Sequence, residues 1–317
     1  MMDESDNVPT LSAKRSSEQS ESPNKRAKLS RKQEESHFLR LFWTVQEIIR
    51  CRSVWSVDLC DITETDIEES ADSLKESFRL FEDIDFTDPK ILCGYIHRYA
   101  GHGAGLARES VLEAINSCDD LKPYLNFREI NVISLGAGPG SDVIGFCSAF
   151  YEYANCSALN ITLVDSVKGW SSCFNIVEFL TREGDFGNAT NLFKKSDITT
   201  SYLQVDLMKK PLQNSKFVRA LQEADIIIMQ KLLSIIPFEN RNFIIENTAE
   251  IMKEEAVLLL IDTPFQDQYL NSLDVKYRSS AAENYQYGPS ENKSGQEYAA
   301  ETKAKVRVLK KKQKEVN

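Results

Sequence analysis

Gly136, Gly138 and Gly140 stand at alternate positions directly after an apolar run, in the segment 131–140 (NVISLGAGPG), with Ser141 and Asp142 next. Glycine backbones, here with Ala137 between them, turn sharply and let a ligand come close to the main chain. A helix starting at Asp142 offers N–H groups to an anionic or polar group. Two carboxylates follow at matching places: Asp165 ends the apolar run 160–164, and Asp206 ends the run 201–205. At the carboxyl end of a strand beside such a turn, a carboxylate can accept hydrogen bonds from both hydroxyls of a ribose. One on the next strand can accept from the amino group of an adenine.

Two further groups have chemistry-bearing side chains. Gln230 and Lys231 close a fourth apolar run, 225–229, where they can orient or activate an acceptor. The segment 95–105 (YIHRYAGHGAG) holds Tyr95, His97, Arg98, Tyr99 and His102. Its aromatics can stack on a base or frame a cation, and its arginine can hold a phosphate or carboxylate. Either histidine can act as a base near neutral pH. The structural alternative for this segment is a helix with Tyr and Ile on its core face, ending in a glycine cap.

Regular elements must position these groups. Strands at 132–135, 160–164, 201–205, 225–229 and 256–261 alternate with helices at 142–153, 169–182 and 241–252, the pattern of a parallel, doubly wound sheet. A final antiparallel pair fits 275–278 and 305–309, joined by a long polar loop. Ahead of the sheet, apolar residues at helical spacing predict helices over 38–49, 66–81 and 106–117, with Asp88 and Pro89 starting another. The chain thus divides into a tail, 1–36, a helical cap, 37–125, and a sheet domain, 126–317, with a basic C-terminal end.

The 317 residues carry a net charge of −10, which argues against a globally basic nucleic-acid binder. The tail has almost nothing to bury and reads as disordered. It contains Lys14 and Arg15, a spacer, and then 23–32 (PNKRAKLSRK), a pattern like a bipartite nuclear localisation signal. A nuclear or nucleocytoplasmic location and an import receptor as partner follow as expectations. No apolar run is long enough to span a bilayer, and no membrane partner is expected. Seven cysteines without a CxxC pair and three histidines make a metal site improbable.

Leu135 to Gly140 (LGAGPG), Leu163 to Asp165 (LVD) and Gln204 to Asp206 (QVD) resemble the motifs of the class I S-adenosylmethionine-dependent methyltransferases, over residues 131–262. The resemblance implies a seven-stranded sheet with a reversed last strand and S-adenosyl-L-methionine as cofactor. It implies a glycine loop under the methionine part, Asp165 on the ribose and Asp206 near the adenine. A dinucleotide oxidoreductase requires a third glycine where this chain has Ser141, and Asp165 lies further on than that fingerprint places its acid. The Asn/Asp-Pro-Pro-aromatic motif common after the fourth strand in amide- and base-nitrogen methyltransferases is absent; the chain reads Met229-Gln230-Lys231. Methyl transfer to a protein, RNA or small-molecule acceptor and a catalytically inactive scaffold are therefore both open, with Tyr95, Arg98 and Tyr99 as substrate-site candidates.

Overall fold

The computed structural model describes residues 29–51, 62–82, 84–209, 211–279, 283–286, 290–291, 297–298 and 301–312. Most of the basic nuclear-signal segment lies outside them. Its last residues, Arg31 and Lys32, instead open helix α1 (Arg31–Arg50), inside the stretch expected to be tail. Ser30 and Gln33 explain the early start: each side chain bonds to the other's backbone N–H in a capping box.

The cap continues with α2 (Glu64–Leu80), begun by a Thr63–Asp66 capping box and ended by Phe81 in the left-handed region. Helix α3 (Pro89–Tyr95) follows an Asp88 cap. It runs through a π-helical turn (Ile96–Ala100) straight into α4 (Gly101–Ser117). The glycines at 101–105 do not cap a helix; they sit inside one. The reason is close packing: a Cβ on Gly145 of the next helix would lie 2.1 Å from the Ala104 carbonyl, and one on Gly103 would lie 3.0 Å from Ser141 Oγ. Two helix backbones meet there only because side chains are absent.

The sheet domain comprises β1 (Glu129–Leu135), α5 (Ser141–Tyr153), β2 (Ala158–Asp165), α6 (Gly169–Glu183), α7 (Gly187–Lys195), β3 (Asp197–Gln204), α8 (Ser215–Glu223), β4 (Ile226–Gln230), α9 (Leu232–Ile235), α10 (Phe238–Ile251) and β5 (Val257–Asp262). After these come β6 (Leu273–Arg278), β7 (Glu283–Gln286), a two-residue ladder of β8 (Ser290–Glu291) with β9 (Glu297–Tyr298), and β10 (Glu301–Lys311). The seven main strands lie in the order β3-β2-β1-β4-β5-β10-β6, with β7 on the first half of β10. Strands β1 to β5 are parallel; β10 is antiparallel to both β5 and β6. The main path is thus a seven-stranded α/β sheet with its reversed strand inserted one place in from the edge, as the resemblance implies.

Alternation along β1 sorts the two cores. Ile130 and Val132 face the cap side, with α1, α4, α5 and α6, whereas Ile133 and Leu135 face α8 and α10. The cap belongs to the first core and is no separate body. Glu34 of α1, fully buried, accepts from Ser148 Oγ at 2.8 Å and from the Asn188 N–H at 2.9 Å. The expected basic end is tied down in part: Lys310 reaches Asp120, Lys311 donates to the Glu250 and Met252 carbonyls, and Lys312 donates to the Asn271 carbonyl. Two of those carbonyls lie at the C-terminus of α10, where a cation is favoured by the helix dipole. Among the described residues, no helix is long and apolar enough to cross a membrane.

Candidate functional site

The glycine turn adopts the backbone its composition demands. Gly136, Gly138 and Gly140 have φ of 73°, 52° and 81°, all left-handed. Their surroundings differ. A Cβ on Gly136 would strike Leu232 at 2.6 Å, and one on Gly140 would strike the Phe174 ring at 2.5 Å. A Cβ on Gly138 would meet only Tyr95, its hydroxyl 3.7 Å away. The first and third glycines therefore serve packing, and the second opens onto a cleft.

That cleft encloses about 190 Å³. Phe78, Phe86, Tyr95 and Trp170 form one wall, Leu207, Met208, Ile235 and Ile236 an apolar slot, and Asp165 and Asp206 contribute carboxylates. Among the described residues, none of those lining it is a lysine or an arginine. The aromatic wall is one interlocked cluster: Tyr95 and Trp170 centroids are 4.9 Å apart, Phe86 and Trp170 5.2 Å, and Tyr95 and Tyr99 5.3 Å. Tilted and edge-on rings at this spacing attract through their quadrupoles. The π-helical turn after Tyr95 adds a residue to the helix repeat and keeps both Tyr95 and Tyr99 in that cluster.

Hydrogen bonding around the turn departs from the expectation of free N–H groups. Gly136 and Ala137 both donate to the Val164 carbonyl, Gly140 donates to Ala137, and Gly138 donates to Asp165 Oδ2 at 3.0 Å. Asp165 Oδ1 accepts from Val167 N–H at 3.0 Å, and Tyr202 donates its hydroxyl to the Gly138 carbonyl at 2.9 Å. A tight turn satisfies its own donors because nothing else reaches them. Burial pushes the Asp165 pKa up against these backbone bonds, which lower it. Asp206 accepts from the Met208 N–H at 2.9 Å and pairs with exposed Lys209 at 3.2 Å. Beneath the turn, buried Asp142 accepts from Ser134 Oγ; burial raises its pKa to about 7, though the Ser134 and Val143 bonds oppose the rise.

The end of β4 is built differently. Gln230 donates its side-chain amide to the Gly103 carbonyl at 3.0 Å, clamping α4 onto the strand, while its buried Oε1 has no hydrogen-bond partner among the described residues. Lys231 has a left-handed backbone, φ 55°, and donates Nζ to the Lys303 carbonyl of β10 at 2.7 Å. Burial lowers its pKa, partly offset by Asp262. His102 lies close enough to feel that charge; burial and then Lys231 lower it to about 4, so it is neutral at pH 7. His97, lowered by burial, is not among the cleft-lining residues. Arg98 turns away to Asp72 at 2.8 Å.

Of the residues singled out in the sequence, Gly136, Gly138, Asp165, Asp206 and Tyr95 line one cleft, and Tyr99 backs it. Gln230, Lys231 and His102 gather at the end of β4, and Arg98 joins neither group. Sequence reasoning did not assign Phe78 and Phe86 to a site. Phe78 shares helical spacing with Ile67 and Leu74, so its pattern is that of a core residue.

No family model matches this chain, and no curated protein matches it. Among solved structures it is similar to an O-methyltransferase family protein from Burkholderia thailandensis, at 11% identity over 78% of this chain and 69% of that one, with a TM-score of 0.44. It is also similar to the magnesium protoporphyrin IX methyltransferase of Synechocystis PCC 6803, solved with bound SAM, at 14% identity over 81% and 99%, TM-score 0.38. TrmN from Thermus thermophilus overlaps 66% of this chain and 48% of its own, at 12% identity and a TM-score of 0.38. Identities and scores are low throughout; the chemistry of the cleft follows from its own residues.

Proposed function

We propose that this chain is an S-adenosylmethionine-dependent methyltransferase. The observation that carries the proposal is the bare face of Gly138, open onto a cleft between two strand-end carboxylates. The donor set fits the cofactor: an apolar slot beside Asp206 for a purine, Asp165 for ribose hydroxyls, and aromatic rings, with no cation among the described lining residues, for a sulfonium. When bound, the cofactor supplies an electrophilic methyl group on a positively charged sulfur. The chain's own residues align and enclose: Tyr95, Trp170, Phe86 and Phe78 exclude water from the reacting centre, and a neutral nitrogen acceptor needs little further acid–base help. The basic pair Lys14 and Arg15 with the cluster at 25–32 supports import into the nucleus, where protein and RNA acceptors abound.

One observation favours a second reading, a scaffold that keeps the fold without turnover. The cleft's 190 Å³ is below the roughly 300–1,000 Å³ of ordinary ligand pockets. Calorimetric titration with S-adenosylmethionine and S-adenosylhomocysteine separates the two. Saturable binding, weakened about 100-fold or more in Asp165→Ala through loss of a charged hydrogen-bonding partner, supports the enzyme. A folded wild-type chain that binds neither nucleoside is a scaffold.

A further inference from the structure

The amino-acid arm of S-adenosylmethionine carries a carboxylate, and the floor of the cleft has few donors left for one. The N–H groups of the glycine turn are already given away: Gly136 and Ala137 to the Val164 carbonyl, Gly138 to Asp165 and Gly140 to Ala137. Pro139 has none. Asp165 and Asp206 present carboxylates, and no lysine or arginine is among the described lining residues. A carboxylate taken out of water without a donor is strongly disfavoured.

Among the described lining residues, three side chains can donate: Tyr95, Trp170 and Ser166. Ser166 is exposed beside Asp165 at the end of β2. The Tyr95 hydroxyl, which the cap supplies, faces the second glycine, 3.7 Å from where a Cβ of Gly138 would lie. It hydrogen-bonds to no described residue. Its ring is fixed: Trp170, Tyr99, Phe86 and Phe78 surround it with centroids at 4.9, 5.3, 5.9 and 6.3 Å. Burial, and then the charge of Asp165, push its pKa up, so the phenol keeps its proton at neutral pH. A phenylalanine would fill the same place among these rings, so packing does not account for the oxygen. A largely enclosed hydroxyl with nothing to bond is destabilising unless a ligand supplies the partner.

Asp206, Asp165 and Gly138 follow one another along the cleft, and Asp165 Oδ2 accepts from the Gly138 N–H at 3.0 Å. With the purine beside Asp206 and the ribose at Asp165, the rest of the cofactor extends over Gly138 and under Tyr95. We propose that Tyr95 recognises the amino-acid arm, its hydroxyl donating to the arm's carboxylate, while the arm's ammonium lies toward the acceptors of the floor. The sheet domain then selects the nucleoside, and the cap selects what is attached to it. That assignment rests on the methyltransferase reading.

The test is calorimetry of the full chain with two ligands, S-adenosylmethionine and its decarboxylated form. The second keeps the purine, ribose, sulfonium and ammonium and lacks only the carboxylate. Wild type should bind S-adenosylmethionine about tenfold or more tighter, as a hydrogen bond to a charged group implies. Tyr95→Phe should lose that preference by weakening S-adenosylmethionine, with the decarboxylated form staying within about twofold of its wild-type affinity. Its melting temperature without ligand should match wild type, because the ring remains and the hydroxyl bonds to no described residue. Tyr95→Phe that keeps the preference, or weakens both ligands alike, overturns the proposal and leaves the methyltransferase reading standing. Equal binding of the two ligands by wild type does the same. A folded wild-type chain that binds neither overturns both.

Discussion

The floor of the cleft and the end of β4 lie side by side at the carboxyl edge of one sheet, yet they are wired in opposite senses. At the floor, bonds stay among the turn and the ends of the strands beside it: Asp165 and Tyr202 hold Gly138, and Ser134 holds Asp142. At β4 they reach outward, Gln230 to the cap and Lys231 to β10. A locally closed turn keeps its shape whatever binds above it, so its residues are available to a ligand. A strand end that clamps two neighbouring elements is engaged in holding the fold. The difference teaches that polar residues at a strand terminus are not equivalent site candidates; what they already bond decides.

Changes at the floor and at the clamp should therefore fail in different ways. The largest contrast involves pH. Asp142 has its folded-state pKa raised from 3.8 to about 7. Between those values the folded chain keeps a proton that the unfolded chain releases, so stability falls as pH rises across that window and levels off above it. Denaturant titrations at pH 5 and pH 8 should show Asp142→Asn removing a difference of a few kcal/mol present in the wild type. An unchanged difference would break the assignment of Asp142 as a buried, proton-holding floor residue. Next, Gly140→Ala, with its Cβ 2.5 Å from the Phe174 ring and φ of 81°, should lose about 3 kcal/mol by thermal denaturation. Gly138→Ala has open space at φ 52° and should lose about 1–2 kcal/mol, from backbone strain alone, while impairing nucleoside binding in calorimetry.

On the clamp side, Gln230→Ala should lower stability by about 1–2 kcal/mol, by leaving the Gly103 carbonyl without its donor, and leave S-adenosylhomocysteine affinity within about twofold. A large loss of affinity would move Gln230 from clamp to site. The smallest effect belongs to Lys231→Gly. Relief of a left-handed backbone, about 1 kcal/mol, offsets loss of the bond to Lys303, so the melting temperature should hardly move.

The floor, apart from Tyr202, was legible in the sequence, and the clamp was not. Alternate glycines after an apolar strand specify a backbone, and backbone chemistry is local; the aspartates at the end of β2 and just beyond β3 could be placed by counting strands. The partners of Gln230 and Lys231 lie far away along the chain, in α4 and β10, and no local pattern announces them. The glycines at 101–105 look like a helix stop but stay helical because α5 packs against them. Phe78 and Phe86 become cleft wall only when α2 and the loop after it fold over the turn. Ser30 and Gln33 did carry a readable capping box, and the composition of the flanking tail masked it.

The place of β10 has a consequence for how the molecule is made. Its register with β5 runs from Lys305 to Lys310, and β6 pairs only on its far side. A chain emerging from the ribosome displays the apolar edge of β5 unpaired, and leaves β6 without a neighbour, until the segment around 305–311 is free to slot between them. Co-translational folding can complete the cap and the first five strands, but the sheet closes only afterwards. During that interval the β5 edge is an open template for another strand, and a chaperone that shields this edge would act on the newly synthesised protein at the moment it is most prone to aggregate.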